Sequence, residues 1–180
     1  MDVRGIWTTR EEIATHEFDS NLCYTISQLF EGDFVDIGCG NGTYTKYMNE
    51  HGRYCVGYDG SPLTPEITGG LCRIKDFSVP VDIGQFDNVI CLEVGEHIPL
   101  QYEQVFINNI CKASKGNIIL SWALVGQGGT GHVNCRENFY VIGEMQNRGF
   151  MIDHITTQYL RDGATLNWFK KTLMIFQWKT

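Results

Sequence analysis

The chain has 180 residues, 43% of them hydrophobic, which suits one domain with a sizeable core. A formal net charge of −7 and a pI near 5.1 argue against extended, non-specific contact with nucleic acid, because that contact neutralises many phosphates with Lys and Arg. Seven dispersed cysteines without a C-x-x-C pair read as buried thiols in a reducing compartment, and neither a signal-peptide pattern nor a run of ~20 apolar residues is present, so a soluble, cytoplasmic protein that spans no membrane is expected.

Residues 1–31 read as an irregular arm containing Trp7 and His16, then a helix with Leu22, Ile26, Leu29 and Phe30 at helical spacing and Asp19 or Ser20 as its N-cap. The stretch DFVDIGCGNGTYTKY, Asp33 to Tyr47, organises the rest of the chain. An apolar run, Phe34 to Ile37, ends in glycines at 38, 40 and 42, and a helix is expected from Thr43, giving strand, tight turn and helix. Glycines there reach φ > 0 and leave bare backbone open to a ligand beside the unpaired N–H groups of a helix start. The spacing is G-x-G-x-G, and Thr43 stands where a dinucleotide fingerprint needs its third glycine. Asp36 adds a carboxylate that would repel a diphosphate but accept a cationic amino-acid tail. S-adenosylmethionine is therefore favoured over NAD.

A second strand, Arg53 to Tyr58, ends at Asp59 and Gly60; Asp59 lies 21 residues beyond Gly38, the spacing of an acid that grips ribose hydroxyls. A third strand, Leu71 to Ile74, leads to Asp76 and Phe77, and a fourth, Phe86 to Leu92, runs into E-V-G-E-H-I-P at Glu93 to Pro99. A helix over Tyr102 to Ala113 precedes a fifth strand, Gly116 to Ala123, whose apolar run implies burial on both faces. The loop Val125 to Asn134 is too glycine-rich for an ordinary connection. Beyond it the pattern gives a helix over Glu137 to Asn147, a strand around Met151 to Tyr159, a helical stretch at Ala164 to Phe169 and a last strand, Thr172 to Trp178. Repeats and linkers are absent.

The string D-I-G-C-G-N-G at Asp36 to Gly42 resembles the first motif of class I S-adenosylmethionine-dependent methyltransferases. That resemblance implies an α/β, Rossmann-like fold: a mainly parallel seven-stranded sheet with an antiparallel last strand, here a final hairpin, and helices on both faces. Residues 32–180 would form the catalytic core, and the segment before them would be either a lid over the cofactor or a cover for the sheet edge. Cofactor contacts are then expected from Asp36, Gly38, Cys39, Gly40, Asn41 and Gly42, from Asp59 and Gly60, from Asp76 and Phe77 around the adenine, and from Glu93 at the methionine end.

Catalytic groups are left to the loops after strands four and five, namely Glu96, His97 and His132. Two readings compete. An imidazole of His132 or His97 could be a general base toward a hydroxyl, with a pKa near the operating pH. Alternatively Glu93, Glu96, His97 and His132 could ligate Mg²⁺ or another divalent cation, since carboxylate oxygens and imidazoles suit such ions. The same E-x-x-E-H string occurs in ubiquinone-pathway O-methyltransferases and in small-RNA 3′-terminal 2′-O-methyltransferases, but similar metal-free members favour the base. The blandest reading makes Glu96 and His97 helix caps and His132 a loop residue. A small-molecule O-methyltransferase is expected; the alternatives are metal-assisted 2′-O-methylation of an RNA terminus, which the acidity disfavours, and a non-catalytic S-adenosylmethionine-binding protein.

Overall fold

The five apolar runs in the first two thirds of the chain pair in parallel. In the computed structural model, which describes residues 1–179, they are β1 (Phe34–Ile37), β2 (Cys55–Asp59), β3 (Cys72–Ile74), β4 (Phe86–Leu92) and β5 (Ser114–Ser121). Two more strands, β6 (Phe150–Ile152) and β7 (Met174–Trp178), complete a seven-stranded sheet of order β3-β2-β1-β4-β5-β7-β6, in which β7 is antiparallel to both neighbours. The helices are α1 (Arg10–Ile13), α2 (Ser20–Leu29), α3 (Thr43–Glu50), α4 (Thr64–Ile67), α5 (Glu103–Ala113), α6 (Asn138–Gln146), α7 (His154–Gly163) and α8 (Phe169–Thr172). None among the described residues is long and apolar enough to cross a membrane.

Successive strand side chains point to opposite faces, which explains why continuous apolar runs were needed. Val35, Ile37, Val89, Cys91, Ile118 and Leu120 pack with Phe106 and Ile110 of α5 and Met145 of α6, whereas Phe34, Ile90, Ile119 and Ile175 pack with residues of α2, α3 and α7. Strand order reverses between β1 and β4, since β1 continues to β2 on one side and β4 to β5 on the other. A crevice opens beyond the carboxyl ends of strands at such a switch point.

The C-terminal third departs from the expected pattern. The strand expected over Met151 to Tyr159 is only three residues long, Phe150–Ile152, and α7 occupies most of the remainder. Asp153 accepts from the N–H of Thr156 at 3.0 Å as an N-cap, and Thr157 and Leu160 are buried three residues apart while Ile155 and Tyr159 stay exposed. The β-branched run Ile155–Thr157 imitates strand composition, but the cap and tertiary packing decide for helix. The helical stretch expected at Ala164 to Phe169 begins only at Phe169, because the buried carboxylate of Asp19 takes the N–H groups of Thr165 and Leu166 at 2.6 and 2.8 Å. Nor do β6 and β7 form a hairpin: they pair, but α7 and α8 lie between them in sequence.

Candidate active site

The glycine loop folds as its composition demands, with φ of 77°, 54° and 76° at Gly38, Gly40 and Gly42. The N–H groups of Gly38 and Cys39 donate to the Tyr58 carbonyl at 2.8 and 3.0 Å, so the end of β2 anchors the turn. Asp59 ties it further, accepting from the Gly40 N–H at 2.9 Å and from the Ser61 N–H at 2.8 Å. Burial raises the Asp59 carboxyl against those two bonds. Asp36 sits beneath the loop, where its carboxylate accepts from the Thr45 hydroxyl at 2.8 Å and burial pushes its pKa up to about 7. Asn41 accepts from the N–H and hydroxyl of Thr43 at the start of α3, at 3.1 and 2.6 Å.

Above this floor lies a cavity of about 390 Å³. Of the residues expected at a cofactor site, Gly38, Gly40, Asp59, Gly60, Asp76, Phe77 and Glu93 line it, while Asp36, Cys39, Asn41 and Gly42 stand behind and support the loop. Asp76 is paired with Arg4 of the N-terminal arm at 2.5 Å. The arm, expected as either a lid over the cofactor or a cover for the sheet edge, lines one wall through Ile6, Trp7, His16 and Glu17, and a contribution not legible in the sequence, the start of α8, lines another through Trp168 and Phe169. The only signal for the α8 contribution was an aromatic pair in an otherwise polar stretch.

The side of the cavity where an acceptor is expected is built from two loops. Glu93 follows β4 at φ 53°, the one non-glycine residue with positive φ among the described residues, a strained conformation of the kind that clusters at functional sites. Its N–H donates to the Ser121 hydroxyl at 2.9 Å, and its carboxylate accepts from Gln127 Nε2 at 2.7 Å and Thr172 Oγ1 at 3.1 Å. The following 3₁₀ turn, Gly95–His97, directs Glu96 inward to complete burial. A Cβ at Gly95 would collide with the Trp122 ring, so only glycine permits that approach.

The N–H groups of Val133 and Asn134 both donate to the Glu96 carbonyl, at 2.8 and 2.9 Å, which sews the loop after β5 to the turn after β4. Glu103 of α5 holds the far end of that loop, accepting from Asn134 Nδ2 at 2.8 Å, Arg136 Nε at 2.7 Å and the Tyr140 hydroxyl at 2.5 Å. His132 is thereby brought to Glu96, with Nε2 3.9 Å from Oε1. The His132 and His97 rings meet edge-on, centroids 5.1 Å apart.

Tautomers follow from the carbonyl partners. His132 Nδ1 lies 3.1 Å from the Gln127 carbonyl and His97 Nδ1 3.2 Å from the Gly131 carbonyl, so each Nδ1 carries the proton and each Nε2 keeps a lone pair. Burial, with His132 alongside, pushes the His97 pKa down to about 4. Burial and the neighbouring Glu93 charge hold Glu96 well above the usual carboxylate range. Neither Glu96 oxygen has a hydrogen-bond partner. One ligand atom from each of Glu96, His97 and His132 lies within 4.8 Å of the others, an arrangement able to hold a metal ion.

A model of the family described as methyltransferase domain matches residues 14–155. A probable tocopherol O-methyltransferase, chloroplastic, from Oryza sativa subsp. japonica is 30% identical over 104 residues, which are 49% of this chain and 28% of that protein. Magnesium protoporphyrin IX methyltransferase from Synechocystis PCC 6803, solved with bound SAH, aligns with a TM-score of 0.67 at 20% identity, covering 88% of this chain and 80% of the other. A TehB-like SAM-dependent methyltransferase from Corynebacterium glutamicum gives 0.68 at 16% identity, covering 93% and 91%. At such identities the structural likeness speaks for the fold, and the family match for the class. The chain belongs to the methyltransferase-domain family and has the Rossmann-like fold of the solved S-adenosylmethionine-dependent methyltransferases.

Proposed function

We propose that the protein methylates an oxygen of a small molecule, and that Glu96, His97 and His132 hold a divalent cation beside the acceptor. The observation that carries this reading is the Glu96 carboxylate: fully buried, without a hydrogen-bond partner, and faced by His132 Nε2. A carboxylate so placed costs several kcal/mol unless a proton or a cation answers it. A proton would still leave one oxygen bare and two imidazole lone pairs converging on the same space. A cation answers all three groups at once, and its oxygen and nitrogen donors suit Mg²⁺ or a first-row divalent ion. The Gln127 and Gly131 carbonyls, by binding each Nδ1–H, act as the outer partners that orient metal-ligating imidazoles.

Bound S-adenosylmethionine would supply a methyl on a sulfonium: as the S–CH₃ bond broke an O–CH₃ bond would form, S-adenosylhomocysteine would leave and the acceptor hydroxyl would give its proton to water. A divalent cation lowers the pKa of such a hydroxyl. The chain's own task is placement. The glycine loop and Asp59 hold the cofactor, and Glu93, fixed by Gln127 and Thr172, stands between cofactor floor and acceptor loop. Trp7, Ile98, Trp168 and Phe169 give the cavity an apolar wall suited to the body of a small acceptor. The curated relative's name, a tocopherol O-methyltransferase, supports an oxygen acceptor.

The test is transfer of a labelled methyl to a panel of phenols, catechols and small carboxylic acids, before and after treatment with EDTA. Activity should vanish with EDTA and return with Mg²⁺ or Mn²⁺, and Glu96→Gln should abolish the recovery while leaving S-adenosylhomocysteine affinity unchanged. Turnover indifferent to chelation and to Glu96→Gln would overturn the cation reading, and turnover that then depended on His132 would assign that residue as a general base.

A further inference from the structure

Glycine inside a strand weakens it and marks a close approach by another group. Gly57, midway along β2, pairs with Asp36 of β1 on one side and with Cys72 of β3 on the other. A Cβ there would come within 3.2 Å of Cys39 Sγ, 2.5 Å of Thr45 Oγ1 and closer still to Cys72 Sγ. Two thiols from segments far apart in sequence therefore meet over one strand residue, beneath the glycine loop that carries Cys39. A Cβ at Gly42 would stand 3.1 Å from Cys72 Sγ, so that sulfur also reaches the far end of the loop. Both cysteines are free thiols and buried.

The pair is chemically asymmetric. Six of the seven cysteines are pushed above the ordinary thiol value, five chiefly by burial and Cys39 chiefly by its contact with Cys72. Cys72 alone is held below it, first by that contact and then by the Thr45 and Thr68 hydroxyls. The thiolate is the form that reacts with oxidants, so Cys72 is the attacking sulfur and Cys39 the resolving one. Cover over Cys72 is thin: β3 is an edge strand of three residues, and α4 before it is one helical turn, tied to it where the Cys72 N–H donates to Thr68 Oγ1 at 3.1 Å. We propose that Cys39 and Cys72 form a reversible disulfide, made by a hydroperoxide, that closes the cofactor site under oxidising conditions. The Cys72 thiolate attacks the peroxide, the O–O bond breaks, and Cys72 becomes a sulfenic acid while hydroxide takes up the proton Cys72 had released. The Cys39 sulfur then attacks that of Cys72: the S–S bond forms, the S–O bond breaks, and hydroxide leaves with the Cys39 proton as water. The two sulfurs together lose two electrons and the peroxide gains them. A disulfide sets its sulfurs only ~2 Å apart, nearer than thiols in contact, so Cys39 is drawn toward β3. Its N–H is bonded to the Tyr58 carbonyl and its carbonyl accepts from the Gly42 N–H at 2.8 Å, so the loop moves with it, and Gly40, which lines the cavity and donates to Asp59, is displaced. The proposal rests on the cofactor loop and not on the nature of the acceptor.

Treatment of the full chain with hydrogen peroxide, followed by peptide mapping without reductant and by calorimetry with S-adenosylhomocysteine, tests this. Peroxide should join the Cys39 and Cys72 peptides and weaken S-adenosylhomocysteine by about ten-fold or more, the scale of one hydrogen bond to a charged group, and dithiothreitol should reverse both changes. Cys72→Ser should bind S-adenosylhomocysteine within about two-fold of the reduced parent and keep that affinity after peroxide, and Cys72→Ala, which fills the same space without a polar atom, should behave alike. A map of the oxidised parent without the joined peptides would overturn the proposal whatever the variants do. Unchanged affinity in the joined protein would overturn it as well, leaving a disulfide that controls nothing. An equal loss on oxidation of Cys72→Ser would place the damage at another residue and remove Cys39 and Cys72 from its cause.

Discussion

The two halves of the site are finished to different degrees. On the cofactor floor the polar side chains are answered from within the chain: Asp59 by the Gly40 and Ser61 amides, Asp36 by Thr45, Asn41 by Thr43. On the acceptor side Glu96 has neither oxygen satisfied, and His97 and His132 each hold one nitrogen in reserve. A preformed floor loses little entropy on binding and can be rigid in the free protein. The acceptor side carries an electrostatic deficit at Glu96, which on the proposed function the bound cation would remove.

The contrast breaks most easily at His132. His132→Ala should cut methyl transfer by roughly 10²–10⁴-fold while S-adenosylhomocysteine affinity, measured by calorimetry, stays unchanged. A comparable loss of cofactor affinity would mean that the two halves are one. Asp59→Ala tests the floor from its own side and should weaken cofactor binding by about 1.5–3 kcal/mol, with turnover at saturating cofactor far less affected. Thr45→Val asks how deep the floor extends. It strips the hydroxyl from the buried Asp36 carboxyl and should lower stability in urea by about 1–2 kcal/mol; an unchanged midpoint would show that the Thr45 bond does not support the floor.

The smallest expected effect is a pH dependence of the arm. Folded His16 binds its proton near pH 4, whereas a released arm binds it near the ordinary 6.5, so the released state holds more protons between those values. Docking of the arm is therefore fully favoured above pH 6.5 and weakens as pH falls toward 4, by about 1 kcal/mol at pH 6. Hydrogen-exchange protection of residues 1–18 should drop accordingly. Protection that is flat from pH 7 to 5 would place His16 in solvent.

How far the site was legible in the sequence reflects the same difference. The floor could be read because its demands are local: three glycines at alternate positions force the turn, and an acid at the end of the next strand meets it. On the acceptor side the residue types could be read but not their directions. Glu93 and Glu96 look equivalent in E-V-G-E-H, and the left-handed conformation at Glu93 followed by a 3₁₀ turn sends one to Gln127 and Thr172 and the other to His132. The contacts of His16 and Trp168 were beyond reach, because they join segments far apart in sequence and leave no periodicity. The long strand expected after Phe150 fails for a similar reason: Asp153 as a cap and Leu160 against the core outweigh a β-branched composition.

The paired bonds from Val133 and Asn134 to the Glu96 carbonyl have an evolutionary consequence. They clamp the loop just after His132, and Glu103 secures the chain beyond, so the register between His132 and Glu96 is set downstream of the glycine-rich segment. Val125 to Thr130 hang ahead of that clamp, with Gln127, Gly128, Gly129 and Thr130 against the acceptor space. Only Val125, Gly128 and Thr130 are free to drift in sequence without disturbing His132: Gln127 holds the His132 Nδ1 through its carbonyl and Glu93 through its side chain, Gly126 stands at φ 88°, and a Cβ at Gly129 would collide with the His132 ring. On the proposed function, a lineage could retune acceptor preference at Val125, Gly128 and Thr130 while inheriting the His132–Glu96 register intact, and the positions between them would stay fixed by His132 itself.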